Sequence, residues 1–277
     1  MNKVMAVILN YNSYEDCIKC VNLLKKQSYT ELQIVIVDNN STDGSAKKLL
    51  EYGRTNDVFV IDNKENRGFS AGNNIGLKKA KTEECKYAMV INPDVEIGDE
   101  DYVSKVIDVM DKDSQIAVLG TDIINTKKQH QNPMRELSFL EESFLFLELI
   151  KNKVSNNIPY VKKQKKSGYC DKVSGCCFFV DMDFIECINY LDENVFLYCE
   201  EPILAKTVQR EGRKVYYLKE CTAFHNHIDS KKGNQNKRMD EFLKSRLYYL
   251  DNYSGYKGLK LKIVKKSRVM QNHYSKR

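Results

Sequence analysis

The sequence predicts an α/β fold with a mostly parallel central sheet, and three observations lead to this prediction. Apolar runs of strand length alternate with amphipathic segments of helix length through about the first 120 residues. Hydrophobic residues make up 42% of the 277 residues and charged residues 30%, which is typical of a globular chain with a proper core. No run of eighteen apolar residues is present, so no membrane-spanning helix is predicted.

The first predicted elements follow one another in strand–helix order. The strand at 3–9 is an almost continuous apolar run, as a strand buried on both faces of a sheet should be. The helix at 14–27 carries Cys17, Ile18, Val21 and Leu24 at helical spacing. The same reasoning places strands at 32–37, 57–61, 87–91 and 116–119, with helices at 43–52, 71–80 and 101–110. Such alternation predicts parallel strands joined by right-handed crossovers.

The second half of the chain is less regular. Residues 137–150 are rich in Leu and Phe, which predicts a helix with a broad apolar face, and 162–166 is a basic loop. Further strands are predicted at 172–180 and 214–218, and further helices at 202–211 and 237–250.

The charges are unevenly distributed along the chain. The net charge is +6, yet residues 231–277 hold 14 Lys or Arg against 3 Asp or Glu, whereas residues 1–230 hold 30 against 35. A mildly acidic body argues against a nucleic-acid-binding protein. The basic segment favours contact with an anionic surface, and a solvated tail is the alternative.

The cysteine pattern indicates free thiols. The count is nine, and only Cys17 and Cys20 have the spacing of a metal or redox pair, without a second pair at zinc-finger distance. We therefore expect structural thiols in a reducing cytoplasm.

Polar residues follow each of the first four strands. Because ligands bind beyond the carboxyl ends of parallel strands, these segments predict a ligand site at one edge of the sheet. Helix capping is the alternative for each segment taken singly. The segments are Asn10–Asn12, Asp38–Ser45, Asn63–Gly76 and Asn92–Asp94.

The residue types at this edge suit a nucleotide. Asp38 can accept hydrogen bonds from a base or ribose, and Arg67 can offer a planar cation. Gly68 and Gly72 would let the backbone approach a phosphate. Neither a phosphate-binding P-loop nor a dinucleotide motif is present. Asp94 is a candidate ligand for Mg²⁺ or Mn²⁺, whose remaining ligands can come from a diphosphate.

Two groups in the second half could supply chemistry. Glu200 and Glu201 stand just before Pro202, where one could act as a general base or both could complement the helix dipole. His225 and His227 lie in a polar loop and are either metal ligands or structural residues.

In their order and spacing, these segments resemble the inverting glycosyltransferases of family 2. The resemblance is closest to the bacterial rhamnosyltransferase-like branch of capsule, O-antigen and cell-wall polysaccharide synthesis. It covers about residues 3–230 and rests on 37–45, 66–76, 92–94, 173–175, 192–201, His225 and Ser230.

The resemblance implies a GT-A type fold over residues 1–230. Its halves would be a nucleotide-sugar-binding part at 1–122 and an acceptor-binding and catalytic-base part at 123–230, followed by a basic C-terminal helix and tail at 231–277. Asn92 replaces the first carboxylate of the family's Asp-x-Asp signature, and the base is Glu where the family more often has Asp.

The resemblance also implies a role for each matching residue. Glu201 would be the catalytic base with Glu200 beside it, and Asp94 and His225 would bind Mg²⁺ or Mn²⁺. Gly175 and Tyr198 would lie near the donor sugar and the acceptor. The nucleotide-sugar pocket would comprise Asn10, Tyr11, Asp38, Asn40, Asn66, Arg67, Gly68, Asn74, Asn92, Pro93 and Asp94.

The implied activity is transfer of rhamnose or another hexose from a UDP or dTDP sugar to a hydroxyl of a growing glycan. The implied acceptor is polyprenyl-diphosphate-linked. The enzyme would be cytoplasmic and peripheral on the inner face of the cell membrane, held there by residues 256–277. Two other classes stay open: a nucleotidyltransferase, and a non-catalytic sugar-binding protein of the same fold.

Overall fold

The computed structural model describes residues 1–144, 161–162, 164, 166–226 and 235–275. The strands are β1 (Val4–Asn10), β2 (Leu32–Asn39), β3 (Phe59–Asn63), β4 (Tyr87–Ile91), β5 (Val95–Glu96), β6 (Ile116–Asn125), β7 (Gly168–Cys170), β8 (Cys177–Asp181) and β9 (Lys214–His225). The helices are α1 (Tyr14–Leu24), α2 (Ser45–Thr55), α3 (Phe69–Thr82), α4 (Tyr102–Lys112), α5 (Phe139–Ser143), α6 (Met182–Cys187), α7 (Glu200–Arg210), α8 (Gln235–Asn252) and α9 (Gly258–Ser275).

The strands form one sheet in the order β3-β2-β1-β4-β8-β6-β9-β5, with β7 paired to β9. The first four strands in this order are parallel, as the strand–helix alternation predicts. In the second half β8 runs antiparallel to β4 and β6, so the sheet as a whole is mixed. An apolar run looks the same in either direction, and the sequence pattern therefore could not reveal this reversal.

The apolar run of β1 is buried because helices cover both faces of the sheet. Val4, Ala6 and Ile8 pack into one core cluster, while Met5 and Val7 pack into a second cluster on the opposite face. The alternation follows from the two-residue period of a strand. Strand β1 is therefore central, and the polar residues that follow it emerge in the middle of the carboxyl edge.

The second half of the sequence is built into the same sheet. The expected division at residue 122 falls within β6, which pairs with β8 and β9. The apolar segment 137–150 is helical over Phe139–Ser143, and its residues 145–150 lie outside the described part of the chain. His227, Ser230 and two residues of the predicted basic loop, 163 and 165, also lie outside it.

The basic C-terminal segment folds back onto the body as α8 and α9. Arg246 and Arg268 are buried and both form ion pairs with the buried carboxylate of Glu142 on α5. Two of the tail cations are thus engaged inside the molecule, a pairing that charge counting alone did not predict. Within the described ranges, we find no helix with the length and hydrophobicity needed to span a bilayer.

Candidate active site

The ends of β1 and β2 are joined by a buried polar network. Asn10 and Asp38 are register partners, and the Asn10 amide donates to Asp38 Oδ1 at 2.6 Å. The Ser41 backbone N–H donates to Asp38 Oδ2 at 2.9 Å. Asn10 and Asp38 are fully buried, whereas Tyr11 and Asn40 beside them are exposed. The Asp38 carboxylate thus links the end of β1 to the segment after β2, and Tyr11 and Asn40 face solvent at this edge of the sheet.

A second network joins β2 to the loop after β3. Asn63 donates its amide to Asn39 Oδ1 at 3.0 Å, and Asn39 donates to Asn66 Oδ1 at 3.0 Å. Asn66 Oδ1 also accepts a hydrogen bond from the Gly68 backbone N–H at 3.0 Å. Asn66 is therefore held by its neighbours at the edge where the sequence predicts it.

Gly68 marks a contact between this loop and the second half of the chain. Its φ is +96°, and an added Cβ would lie 2.0 Å from the Phe196 carbonyl oxygen. The neighbouring Phe69 N–H donates to that same oxygen at 2.9 Å. At Gly72 a Cβ would lie 2.5 Å from the side chain of Leu9. Close packing within the chain therefore requires glycine at both positions, whereas the sequence-based prediction was a close approach to a phosphate.

Arg67 and Asn74 contact the loop at 191–198. Arg67 pairs with Glu193 at 2.9 Å while its side chain stays half exposed. Asn74 is buried; its amide donates to Leu191 O and to Glu193, each at 2.9 Å, and its Oδ1 accepts from Leu191 N–H. Asn74 therefore positions the loop, and its predicted contact with a nucleotide stays a prediction.

Asp94 lies just before β5, and it meets His225 at the end of β9. Strand β5 pairs with the end of β9, which brings His225 Nε2 to 3.4 Å from Asp94 Oδ1. His225 Nδ1 lies 2.9 Å from Gln131 Oε1, a contact that orients the ring with Nε2 toward Asp94. Burial lowers the pKa of His225, but hydrogen bonds with Asp94 and Cys176 outweigh it and raise the pKa to about 10.

The donor atoms of Asp94 and His225 fit a divalent cation. A carboxylate oxygen and an imidazole nitrogen side by side suit Mn²⁺ when the cation displaces the proton that the raised pKa keeps on His225. The bond from His225 to Gln131 is the type of outer contact that orients a metal-binding histidine. No cluster of three His, Cys, Asp or Glu suited to a metal occurs among the described residues. The remaining ligands would therefore have to come from a bound diphosphate or from water.

Glu201 lies at the start of α7 and reaches the segment that precedes β8. The Gly175 backbone N–H donates to Glu201 Oε1 at 3.3 Å, and a Cβ on Gly175 would lie equally close to that oxygen. Glu200 beside it is half-buried, and its Oε1, which is shielded from solvent, has no hydrogen-bond partner among the described residues. Burial and then repulsion from Glu201 raise the pKa of Glu200 to about 8.

The turn before α7 has unusual backbone geometry. Tyr198 and Cys199 are consecutive non-glycine residues with left-handed φ of 72° and 68°. Such conformations cost free energy and are concentrated at functional sites. The Tyr198 ring packs edge-on against Phe242 of α8, with centroids 5.6 Å apart. This turn directs Glu200 and Glu201 to the amino end of the helix.

One short segment connects the two candidate groups. The Asn92 backbone N–H donates to the Cys176 carbonyl oxygen at 2.7 Å, and Cys176 also contacts His225 through its thiol. Gly175, the preceding residue, bonds to Glu201. The Asn92–Asp94 turn and the start of α7 therefore flank the same segment, and they do not lie on opposite sides of the molecule.

Sequence patterns alone missed several residues at this edge. Gln131 and Cys176 contact His225. Glu193 forms an ion pair with Arg67 and accepts a hydrogen bond from the Asn74 amide. Gln131 and Cys176 lie outside the motifs quoted from the sequence. Glu193 lies within the segment 192–201, but its partners Arg67 and Asn74 come from far along the chain. The segment 192–201, which has acidic residues at both ends, was the one signal in the sequence that could have suggested Glu193 as a site residue.

Comparisons with known proteins show which family of proteins the chain matches. A model described as glycosyl transferase family 2 matches residues 5–182. The chain is 28% identical over 229 residues to the low-salt glycan biosynthesis hexosyltransferase Agl10 of Haloferax volcanii, spanning 82% of this chain and 68% of that protein. It is 25% identical over 250 residues to the rhamnosyltransferase WbbL of Escherichia coli, spanning 78% of this chain and 91% of that protein.

A solved structure shares the fold at low sequence identity. The mannosyltransferase PcManGT from Pyrobaculum calidifontis, in complex with GDP-Man and Mn²⁺, superposes with a TM-score of 0.61. The match covers 99% of this chain and 72% of that chain at 12% identity.

Proposed function

The chain belongs to glycosyl transferase family 2, and we propose that it is an inverting enzyme that transfers one hexose from a nucleotide-diphosphate sugar to a glycan hydroxyl. The family and the GT-A type fold make it a glycosyltransferase of glycan biosynthesis. One observation carries the finer proposal. A segment of adjacent residues, Gly175 and Cys176, contacts Glu201 on one side and His225, with Asp94, on the other.

Glu201 is the proposed general base. Its carboxylate takes the proton of the acceptor hydroxyl, whose oxygen then attacks the anomeric carbon as the bond to the nucleotide diphosphate breaks. The Gly175 N–H holds the carboxylate in place. A single base without an enzyme nucleophile gives one displacement and therefore inversion at the anomeric carbon. Gly175 and Tyr198 are proposed to lie beside the reacting sugars.

Asp94 and His225 are the proposed holders of Mg²⁺ or Mn²⁺. Such a cation would offset the negative charge that develops on the departing diphosphate. The chain's own residues orient that end of the site, because Gln131 contacts the His225 ring and the Asn92 N–H bonds to Cys176, the residue before β8.

The nucleotide is proposed to bind at the ends of β1, β2 and β3. The solvent-facing residues there are Tyr11, Asn40 and Arg67, while Asn10, Asp38, Asn66 and Gly68 support them from below. The donor is proposed to be a UDP or dTDP sugar, whereas the similar mannosyltransferase is in complex with GDP-Man.

The acceptor is proposed to be a lipid-linked glycan, and α9 is proposed to meet the membrane. The apolar residues Leu259, Ile263, Met270 and Tyr274 are exposed on its outer face. Exposed lysines beside them suit anionic headgroups: Lys257, Lys260, Lys262 and Lys266. We expect the full chain to pellet with phosphatidylglycerol vesicles but not with phosphatidylcholine vesicles, and Ile263→Glu to weaken pelleting. Pelleting with phosphatidylglycerol vesicles that does not exceed pelleting without vesicles would argue against membrane docking.

Product analysis tests the central proposal. The protein is incubated with UDP-, dTDP- and GDP-sugars, a lipid-linked acceptor pool, and either Mn²⁺ or EDTA. We expect one donor to yield a product of inverted anomeric configuration, and EDTA to suppress it. Glu201→Gln should abolish transfer while donor binding persists, and Glu211→Gln at the exposed far end of α7 should be fully active. Full activity of Glu201→Gln would remove Glu201 from this role.

A further inference from the structure

A buried lysine shares a cavity with the two glutamates. Lys172 lies between β7 and β8, and its main-chain carbonyl accepts a hydrogen bond from Met134 N–H at 2.9 Å. Its side chain is 8% exposed and lines a mostly apolar cavity together with Glu200, Glu201 and Gly175. A lysine is rarely buried to this degree unless its charge has a purpose or a partner.

The charged groups around Lys172 come from three elements. Glu201 and Cys199 face it from α7 and the turn before that helix, Glu136 faces it from the segment before α5, and Arg246 faces it from α8. Among the described residues, its ammonium forms no ion pair within 4 Å. Any effect of its ammonium on Glu200 and Glu201 therefore acts through space, across the cavity that the three residues line.

We propose that Lys172 is a positioning residue for the general base, because its ammonium stabilises the carboxylate form of Glu201 beside Glu200. This proposal rests on the proposed function, in which Glu201 takes the acceptor proton. Two neighbouring carboxyl groups in an apolar cavity cannot both be ionised without a large penalty. One proton on Glu200 and one cation at Lys172 leave Glu201 charged and able to accept a proton.

The net effect of its surroundings is to lower the pKa of Lys172, and the neighbouring acidic groups limit that fall. Burial lowers the pKa of Lys172, and repulsion from Arg246 lowers it further, while Glu201, Glu136 and Cys199 raise it. The attraction is reciprocal, so a carboxylate that favours the ammonium form is itself favoured by the ammonium.

The first experiment needs no turnover. Lysine side chains labelled with ¹³C at Cε are titrated by NMR in the full protein, with Lys172→Arg used to assign the signal. We expect one lysine to titrate below the ordinary range and, in Glu201→Gln, to titrate about one pH unit lower still. A Lys172 signal that is neutral at pH 7, or that is unmoved by Glu201→Gln, would overturn the proposal.

The second experiment measures the pH profile of kcat/KM in Lys172→Met. We expect its acidic limb to move up by about one pH unit, which is about a tenfold loss of rate below that limb. Lys172→Arg should restore the wild-type profile, and Lys105→Met removes the same charge from an exposed pair as the control. A loss that is equal at every pH, or a rise in KM alone, would refute the proposal. If the NMR result holds but no sugar is transferred, the proposed function fails and the Lys172–Glu201 interaction stands.

Discussion

Glu142 should hold the C-terminal helices on the body of the molecule. The carboxylate lies between Arg246 of α8 and Arg268 of α9, and Arg268 Nε donates to its Oε2 at 3.1 Å. The three side chains are 5%, 10% and 2% exposed. We expect Glu142→Gln to lower the free energy of unfolding by about 3–5 kcal/mol, because the substitution removes the negative charge between two buried guanidinium groups.

That loss corresponds to a fall in Tm of roughly 6–20 °C for a chain of this size. Calorimetry would measure the shift, and hydrogen exchange would show whether the amides of α9 exchange first. Glu241→Gln, which breaks an exposed pair with Lys244, is the matched control and should cost no more than about 1 kcal/mol. The reasoning is refuted if Glu142→Gln melts within about a degree of wild type with unchanged exchange in α9.

Three further outcomes follow from the site. The pKa of Glu200 is raised from 4.5 to about 8, so the folded state binds this proton more tightly than the unfolded state does. The free energy of unfolding should therefore fall by about 1.4 kcal/mol per pH unit as the pH rises from 4.5 to 8. Urea unfolding at several pH values should show this slope in wild type and not in Glu200→Gln; parallel curves would contradict it. Gly68→Ala should cost about 2–4 kcal/mol because its Cβ meets the Phe196 carbonyl, whereas Gly212→Ala, with φ of +69° and open space, should cost about 1; equal costs would exclude the clash. Asp94→Asn should weaken Mn²⁺ binding, followed by electron paramagnetic resonance with UDP present, by about tenfold or more, and unchanged affinity would exclude Asp94 as a ligand.

The parallel half of the sheet could be predicted because its signal is local. The apolar run of β1 and the helical spacing in α1 each depend on a few neighbouring residues, and the structure has both elements close to the predicted bounds. The two-residue strand β5 and the three-residue β7 were missed. Such short strands exist only because β9 offers them a partner, and no periodic pattern can develop over their length.

The candidate site was predicted in part for a similar reason. Residues at strand ends, such as Asn10 and Asp38, are brought together by strand register, which a parallel sheet makes foreseeable. Asn74 was expected to contact a ligand, yet its amide contacts the backbone and side chain of a loop more than a hundred residues away. Side-chain chemistry is visible in a sequence, but the partner that uses it is not.

The sequence by itself determined the alternation of strands and helices, the edge at which polar residues collect, and the residue types that chemistry needs there. Only the tertiary structure decided that β8 enters the sheet antiparallel, that Glu142 pairs with two arginines of the basic segment, and that Lys172 lines the same cavity as Glu201. The physical reason is the range of the interactions. Periodicity and capping act between near neighbours, whereas burial of a charge depends on groups that only the folded chain brings together.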